Sequence, residues 1–276
     1  MIDPAIDAEY NIRRRHPESP QRYARYAADS AAARAGLRGQ IDQRYGEAPG
    51  ETFDFFPADF FPAARVSAPL FCFIHGGYWR ALDKGDFSFI APPFVAAGIA
   101  VALINYDLAP TVTVETIVGQ TQRAIRWLHD QASGLGFDPA RLVVGGHSAG
   151  GQLTAMALAA EPRLPIAAGI AISGVFDLVP LLRTNVVNEQ LALDEVRAHA
   201  LSPMHHPRPD RAPDLICVGG AETNGFIRQS EAYAETVGRR AKVYPGLDHY
   251  TIMSALADPA SNLHRDVRAI IDGARR

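Results

Sequence analysis

The sequence contains few cysteines and no long run of basic residues. Only Cys72 and Cys217 occur in 276 residues, and each lies inside an apolar run, LFCFI or LICVG. Such cysteines behave as small buried apolar side chains, which excludes a disulfide-based fold and indicates a reducing compartment. The 27 basic and 30 acidic residues give a net charge of −3, without the basic stretch that a phosphate backbone requires. Nucleic acid is therefore not expected as a partner.

Long apolar segments are also missing. The longest apolar run, VAAGIAVALI at 95–104, is interrupted by glycine and is shorter than the roughly 20 residues of a membrane-spanning helix. The first residues, MIDPAIDAEYNIRRRH, lack the apolar stretch of a secretory signal, and nearby acidic residues disfavour an organellar transit peptide. We therefore expect a cytoplasmic protein with no membrane partner. The oligomeric state stays open, with a homodimer as one option.

What the sequence does contain is a series of short apolar runs that predict a mainly parallel β-sheet. Most runs are continuous rather than alternating, which is typical of strands covered on both faces. Segments of helical character separate them, so we predict an α/β protein with a doubly wound sheet flanked by helices. Strands are expected at 52–56, 70–74, 99–104, 141–145, 166–172, 214–219 and 241–245, and helices at about 86–97, 113–134, 149–160, 226–238 and 259–273.

We interpret residues 1–276 as a single domain, because a chain of this length buries about three quarters of its surface around one core. Residues 1–50 form an N-terminal helical arm, in which the alanine- and arginine-rich stretch 19–45 predicts one or two surface helices. Residues 182–212, together with residues 1–45, are expected to form at most a small cover over the site. In doubly wound sheets ligands bind at the carboxyl ends of the strands, which is where the chemistry is expected.

A serine follows one of these strands in the motif Gly146-His147-Ser148-Ala149-Gly150. Glycines two residues before and two residues after the serine permit the sharp turn that presents a nucleophilic hydroxyl between a strand and a helix. The alternative is a glycine-rich turn in which Ser148 only caps the following helix. The predicted strand before it and helix after it favour the nucleophile.

A serine nucleophile needs a histidine base, and His249 is the best placed of the nine histidines. It lies in the turn PGLDHY, directly after the last predicted strand. Chain order supports this choice, because with this elbow the order is nucleophile, acid, base. His264 falls within a predicted helix, and His205 and His206 lie in a proline-rich stretch without the third ligand of a metal motif.

The acid that orients the base is predicted to be Glu222, which follows the strand DLICVG almost at once. Asp248 is the immediate neighbour of His249 and is not expected to reach its ring nitrogen, while Asp258 lies in the following loop. The alternative role of Glu222 is that of an acidic residue at a helix N-terminus, where the helix dipole favours it.

An oxyanion hole is predicted after the strand LFCFI, where the chain continues as HGGYWR at 75–80. A pair of glycines after a strand frees backbone N–H groups to point at one spot, complementing the N–H that follows the nucleophile. The predicted donors are the amides of Gly77, Tyr78 and Ala149. We expect His75 to be structural, holding this loop by hydrogen bonds.

The sequence resembles the arylformamidases (kynurenine formamidases), α/β-hydrolases related to the hormone-sensitive-lipase-like esterases. The resemblance extends over nearly the whole chain. It rests on HGGYW at 75–79, NYDLAP at 105–110, GHSAGG at 146–151, ISGVFDLVPL at 172–181, GGAETNGFIRQS at 219–230 and LDHY at 247–250. The esterase relatives usually carry a third glycine where this chain has Tyr78, and many members have aspartate where it has Glu222.

The resemblance implies an α/β-hydrolase fold and a triad of Ser148 as nucleophile, Glu222 as acid and His249 as base. The implied reaction is hydrolysis of an N-formyl arylamine, such as N-formylkynurenine, with no metal or organic cofactor. The substrate would be a small formamide or ester, and Trp79, Phe226 and Tyr250 are candidate substrate contacts. Tyr78 is expected to narrow the acyl side of the pocket.

Two other functions compete with the formamidase. A carboxylesterase acting on small acyl esters would use the same residues, because an alkoxide leaves more easily than an amine. A catalytically inactive α/β-hydrolase that serves as a binding module is the other alternative. The presence of nucleophile, acid, base and oxyanion hole in the expected order argues against it.

Overall fold

The computed structural model describes residues 2–58, 68–185 and 188–275, and all of its strands belong to one sheet. In spatial order the strands run β1, β2, β4, β3, β5, β6, β7, β8, with β1 and β2 antiparallel to their neighbours and all other pairs parallel. The strands are β1 (Gln40–Arg44), β2 (Thr52–Phe56), β3 (Leu70–Ile74), β4 (Ala100–Ile104), β5 (Leu142–His147), β6 (Ala168–Ile172), β7 (Leu215–Gly219) and β8 (Lys242–Tyr244).

Helices cover both faces of this sheet. They are α1 (Pro4–Tyr10), α2 (Ile12–Arg15), α3 (Ser19–Gly36), α4 (Ala91–Ala96), α5 (Val114–Asp130), α6 (Ala132–Leu135), α7 (Ala149–Leu158), α8 (Asn188–Leu191), α9 (Glu195–Ala200), α10 (Asn224–Thr236), α11 (Thr251–Leu256) and α12 (Asn262–Gly273). A 3-10 turn over Lys84–Ile90 precedes α4. The predicted α/β class with a doubly wound, mainly parallel sheet is confirmed.

The central strands are buried on both faces, which is why their sequences are continuously apolar. Along β3, Cys72 and Ile74 belong to the core cluster that includes residues of α5 and α7, while Phe71 and Phe73 belong to the cluster on the other face. Every residue of β3 is buried. Each face of the sheet therefore has its own apolar core.

The parallel strands are in register at their carboxyl ends. Ile74 lies opposite both Ile104 and Gly146, and Ile172 lies opposite Cys217. The loops that leave these strands consequently start from one edge of the sheet, as expected for a doubly wound fold. This edge receives all three predicted triad residues.

The strand predictions agree with the structure to within two residues at each end, but β1 was not predicted. Residues 40–44 fall in the stretch 19–45 that the sequence assigned to surface helices, and the helix α3 ends at Gly36. β1 is a mostly exposed edge strand with the sequence QIDQR, so it lacks the apolar pattern that marks a strand. Its antiparallel ladder with β2 and a register shift between Gln40 and Gln43 define it instead.

The arm is attached to the sheet by buried aromatic and charged groups. The Tyr26 ring of α3 stacks on Phe89 at a centroid distance of 4.7 Å. Lys84 is only 3% exposed and lies 3.5 Å from the carboxylate of Asp54, which also pairs with Arg34 of α3. Buried charges are tolerated only when they are paired, so this cluster fixes α3 against β2 and the 3-10 turn.

Residues 182–212, predicted as a small cover, contain α8 and α9 with short 3-10 turns, and residues 186 and 187 lie outside the described ranges. Arg197 of α9 pairs with Glu115 of α5 through two N–H donors at 2.7 and 2.8 Å. The interpretation of the chain as one domain stays a prediction. In the described part of the chain no helix has the length and apolar character to cross a membrane.

Candidate active site

Ser148 occupies the turn between β5 and α7 in a strained backbone conformation, with φ 57° and ψ −120°. A non-glycine residue in such a region costs about 1–3 kcal/mol, which the surrounding structure must offset. The flanking glycines make the turn sterically feasible. A Cβ at Gly146 would lie 2.2 Å from the carbonyl oxygen of Gly150, and a Cβ at Gly150 would lie 2.0 Å from that of Ile74.

His249 and Glu222 form a hydrogen-bonded pair at the same edge of the sheet. His249 Nδ1 lies 2.6 Å from Glu222 Oε2, and the two residues are 5% and 4% exposed. Because a carboxylate only accepts, the bond assigns the proton to Nδ1 and leaves Nε2 of a neutral His249 with a free lone pair. This is the arrangement that a general base requires.

The second oxygen of Glu222 is held as well. Oε1 accepts from the Ser173 hydroxyl at 2.5 Å and from the backbone N–H of Gly219 at 2.9 Å. Three donors therefore fix the carboxylate in position and orientation. Asp248, the alternative candidate for the acid, makes other hydrogen bonds. Its side chain accepts from the backbone N–H groups of Tyr250 and Thr251.

Ser148 and His249 line one cavity, here called the Ser148 cavity. Its volume is about 50 Å³, and on the same scale one water molecule needs roughly 10–15 Å³. Besides these two residues, it is lined by Ile12, Arg13, Tyr23, Tyr26, Gly76, Gly77, Tyr78, Arg80, Ala81, Leu82, Phe87, His147 and Tyr250. The cavity therefore has room for a small acyl group beside the serine.

The predicted oxyanion turn forms part of this cavity. Gly77 has φ 111°, and a Cβ there would lie 2.0 Å from the carbonyl oxygen of Ala81, so only glycine fits. Tyr78 follows with φ 52°. A Cβ on Gly76 would lie 3.0 Å from Cβ of Ser148, which shows how closely the turn approaches the serine. Ala149 begins α7, so its amide starts the helix beside the same turn.

His75 holds the oxyanion turn in place through hydrogen bonds of its ring. Its Nδ1 lies 2.7 Å from the carbonyl oxygen of Gly76 and its Nε2 lies 3.0 Å from Oδ1 of Asn105. The Tyr106 ring stacks on the imidazole at 4.3 Å, and its hydroxyl donates to the His75 carbonyl oxygen at 2.9 Å. Burial lowers the pKa of His75, which keeps the ring neutral. Asn105 and Tyr106 of the motif NYDLAP therefore hold His75, and with it the oxyanion turn, in place.

The predicted substrate contacts divide into two groups. Tyr250 lines the Ser148 cavity, whereas Trp79 and Phe226 do not. Trp79 is fully buried and donates its indole N–H to Gln152 at 3.1 Å. Phe226 is 1% exposed and packs its ring 4.5 Å from that of His249. Both aromatic side chains are therefore buried beneath the cavity lining, where Trp79 is bonded to Gln152 and Phe226 packs on His249.

Residues of the arm line the cavity and are bonded to the elements around it. The Tyr78 hydroxyl donates to the carbonyl oxygen of Tyr10 at 2.7 Å. The Glu9 carboxylate accepts from the backbone N–H of Gly225 at 2.7 Å, and Gln229 donates to the Tyr10 hydroxyl at 2.7 Å. Residues of α1 are therefore tied both to the oxyanion turn and to the helix that follows Glu222.

His147 is a further buried group beside the base. Its ring lies 4.5 Å from that of His249, and its Nε2 has no hydrogen-bond partner among the described residues. Burial, and then the proximity of His249, hold its pKa well below the usual value. His147 is therefore neutral, and it adds no positive charge beside the base. The residues His205 and His206 lie apart from the cavity lining, with His205 Nε2 3.2 Å from Asp177.

Comparison with known proteins supports the arrangement. The BD-FAE family matches residues 60–237. The kynurenine formamidase of Salmo salar is 31% identical over 232 residues, which cover 78% of this chain and 76% of that protein. The carboxylesterase NlhH of Mycobacterium tuberculosis is 35% identical over 97 residues, covering 34% of this chain and 30% of that protein.

A solved structure extends the similarity to the whole fold. A protein from Silicibacter sp. TM1040, provisionally named a thioesterase, superposes with a TM-score of 0.83 at 31% identity, covering 97% of this chain and 99% of that one. The family predicted from the motifs HGGYW and GHSAGG is confirmed. The chain therefore belongs to the BD-FAE family and to the kynurenine formamidase family, both within the α/β-hydrolases.

Proposed function

We propose that this protein hydrolyses the formamides of aromatic amines, with Ser148 as nucleophile, His249 as base and Glu222 as the acid that orients it. The observation that carries the proposal is the 2.6 Å hydrogen bond between Glu222 and His249, which lines the same cavity as Ser148. The similarity to kynurenine formamidases supports an N-formyl arylamine as the substrate class. The two buried thiols suit a reducing compartment, and we propose the cytoplasm.

In the first half of the reaction, Ser148 Oγ attacks the formyl carbon while His249 Nε2 takes the hydroxyl proton. Glu222 stabilises the imidazolium that results. The tetrahedral oxyanion is bound by the amides of Gly77, Tyr78 and Ala149, and one such donor typically contributes about 3–4 kcal/mol to transition-state stabilisation. The imidazolium then protonates the leaving nitrogen, the C–N bond breaks, and the arylamine departs.

The second half releases formate. A water molecule gives a proton to His249 Nε2 as its oxygen attacks the formyl ester on Ser148, and the same amides bind the second oxyanion. Collapse of this intermediate breaks the bond to Ser148 Oγ, which recovers its proton from His249. The cycle uses only side chains and backbone groups of the chain, and atoms and charge balance at each step.

The side chain of Tyr78 supports a small acyl group. Tyr78 lines the Ser148 cavity at the position where the esterase relatives carry a third glycine, so its ring takes space that a longer acyl chain would need. The Tyr78 hydroxyl is bound to Tyr10, so the ring is held in place rather than free to swing away.

A comparison of N-formylkynurenine with 4-nitrophenyl acetate on the purified protein tests the proposal. We expect a kcat/KM for the formamide at least comparable with that for the ester, and loss of both activities in Ser148→Ala. A negligible kcat/KM for the formamide would contradict the formamidase and leave the serine hydrolase standing. Labelling by a fluorophosphonate probe, absent in Ser148→Ala, separates an active enzyme from an inactive binding module.

A small-ester carboxylesterase is the second candidate. The similarity of 97 residues to the carboxylesterase NlhH favours it, and an alkoxide needs less help to leave than an amine. The two functions differ in what the leaving group requires. A formamidase depends on proton transfer from His249 to the leaving nitrogen, whereas the oxygen leaving group of an activated ester departs with little such help.

A further inference from the structure

Two arginine side chains from different parts of the chain line the Ser148 cavity. Arg13 belongs to α2 of the arm, and Arg80 follows the oxyanion turn. Ile12, the neighbour of Arg13, is only 6% exposed and packs into the main core. This burial fixes α2 beside the cavity, so the cavity lining carries two positive charges.

Neither arginine forms an ion pair within the described part of the chain. Arg80 donates to the side-chain oxygen of Gln190 at 2.6 Å, which is a neutral amide. Arg22 and Arg34, by contrast, pair with Asp248 and Asp54. The lining of the Ser148 cavity includes no Asp or Glu among the described residues, so neither guanidinium group has a counter-charge there.

The two guanidinium groups are close enough to influence each other. Burial, and then the charge of Arg13, lower the pKa of Arg80. Like charges that line one cavity repel each other at a cost in free energy, and a bound anion would offset that cost. Guanidinium groups also donate in a planar fork that matches a carboxylate, whereas a neutral ligand cannot accept equally strong bonds.

We propose that Arg13 and Arg80 bind a carboxylate of the substrate and make the enzyme specific for substrates that carry one. The acyl group must lie at Ser148 and the oxyanion turn, so the carboxylate belongs to the leaving group. This inference rests on the proposed function, because it places the carboxylate on the arylamine that the reaction releases. It also assigns the arm a direct role in substrate binding through Arg13.

The first test compares a carboxylate substrate with its neutral amide. We expect Arg13→Gln and Arg80→Gln each to lower kcat/KM for N-formylkynurenine by about 10- to 100-fold, the range for a hydrogen bond to a charged group. For the carboxamide of the same compound we expect a change within about twofold. Arg13→Lys and Arg80→Lys should recover part of the loss. Arg14→Gln is the matched control, because Arg14 is exposed on the same helix and does not line the cavity.

Equal losses of kcat/KM on the acid and the amide would leave the ratio of the two values unchanged. This result would overturn the proposal, since it would indicate a structural role for the arginines. The second test does not depend on any activity: calorimetric binding of 2-aminobenzoate and of 2-aminobenzamide. We expect the acid to bind more tightly than the amide, and the difference to vanish in Arg13→Gln and in Arg80→Gln. If the acid keeps this preference but no formamide is hydrolysed, the anion site stands and the proposed reaction fails.

Discussion

Ser173 donates its hydroxyl hydrogen to one oxygen of Glu222 at 2.5 Å, while His249 is bound to the other oxygen. Ser173 follows β6 and has φ 50°, a conformation that β-carbon-bearing residues rarely adopt. Its backbone N–H donates to the carbonyl oxygen of Cys217 at 2.7 Å, which ties it to the strand before Glu222. A strained residue thus positions the acid of the proposed triad.

Replacing Ser173 should weaken the reaction through Glu222. In Ser173→Ala the carboxylate loses one of its three donors, and we expect kcat/KM to fall by about tenfold, the equivalent of one hydrogen bond to a charged group. Steady-state kinetics with a pH profile provides the measurement, because a less well held acid also shifts the apparent pKa of the base. Ser230→Ala is the control, since Ser230 is equally buried and its hydroxyl has no partner among the described residues. A tenfold loss in both variants would contradict the role of Ser173.

Acid should destabilise the fold through its buried neutral histidines. The folded-state pKa values of His75 and His147 are lowered, so below about pH 6.5 the unfolded chain binds protons that the folded chain does not. Stability is therefore fully present above about pH 6.5 and declines below it, by up to about 1.4 kcal/mol per pH unit for each group.

Urea unfolding at several pH values between 5 and 8 measures this slope. We expect His147→Gln to reduce this slope by about one proton. An identical slope in the wild type and in His147→Gln would show that His147 takes up a proton in the folded state.

The bulk of Tyr78 should restrict the acyl group. We expect Tyr78→Gly to raise kcat/KM for butyrate esters relative to acetate esters, because the ring lines the Ser148 cavity. Tyr78→Phe keeps the ring and removes only the hydroxyl that donates to Tyr10, so its acyl-length profile should resemble that of the wild type. An unchanged profile in Tyr78→Gly would assign the ring to packing of the loop.

Two glycines should respond to alanine in opposite directions. At Gly150 a Cβ would lie 2.0 Å from the carbonyl oxygen of Ile74, so Gly150→Ala should destabilise the protein by more than about 3 kcal/mol or prevent folding. At Gly134, in α6, no atom lies within 4 Å of the added Cβ. Gly134→Ala should therefore stabilise by about 0.5–1 kcal/mol. Thermal unfolding of both variants measures the difference, and equal shifts would refute the steric argument.

The residues that could be found from sequence are those whose chemistry depends on chain order and on turns next to strands. Ser148, Glu222 and His249 each follow an apolar run, and parallel strands in register bring such positions to one edge. The hydrogen bond from Ser173 to Glu222 could not be predicted, because no motif marks the serine that follows β6 as a hydrogen-bond donor.

Contacts between distant segments were not predictable in the same way. β1 has a polar sequence because one of its edges faces solvent, so its ladder with β2 leaves no apolar pattern to detect. The position of Arg13 was hidden for a similar reason. Arg13 lies in the predicted helical arm without any motif around it, and only the burial of Ile12 shows that α2 faces the cavity. Trp79 is a candidate substrate contact from the sequence, and its burial against Gln152 could not be predicted from the motif HGGYW.

The bonds between the arm and the opposite end of the chain constrain the order of assembly during synthesis. Thr223 donates to the Glu9 carbonyl oxygen, Arg22 pairs with Asp248, and the Tyr26 hydroxyl donates to the Tyr250 carbonyl oxygen, across 214 to 226 residues of sequence. On the ribosome these contacts of the arm form only after the late segments have emerged, whereas the contacts of α3 with β2 and the 3-10 turn can form earlier. The serine elbow at 148 is translated well before Glu222 and His249, so the nascent chain carries the proposed nucleophile without its proposed acid and base until the segments that contain them are made.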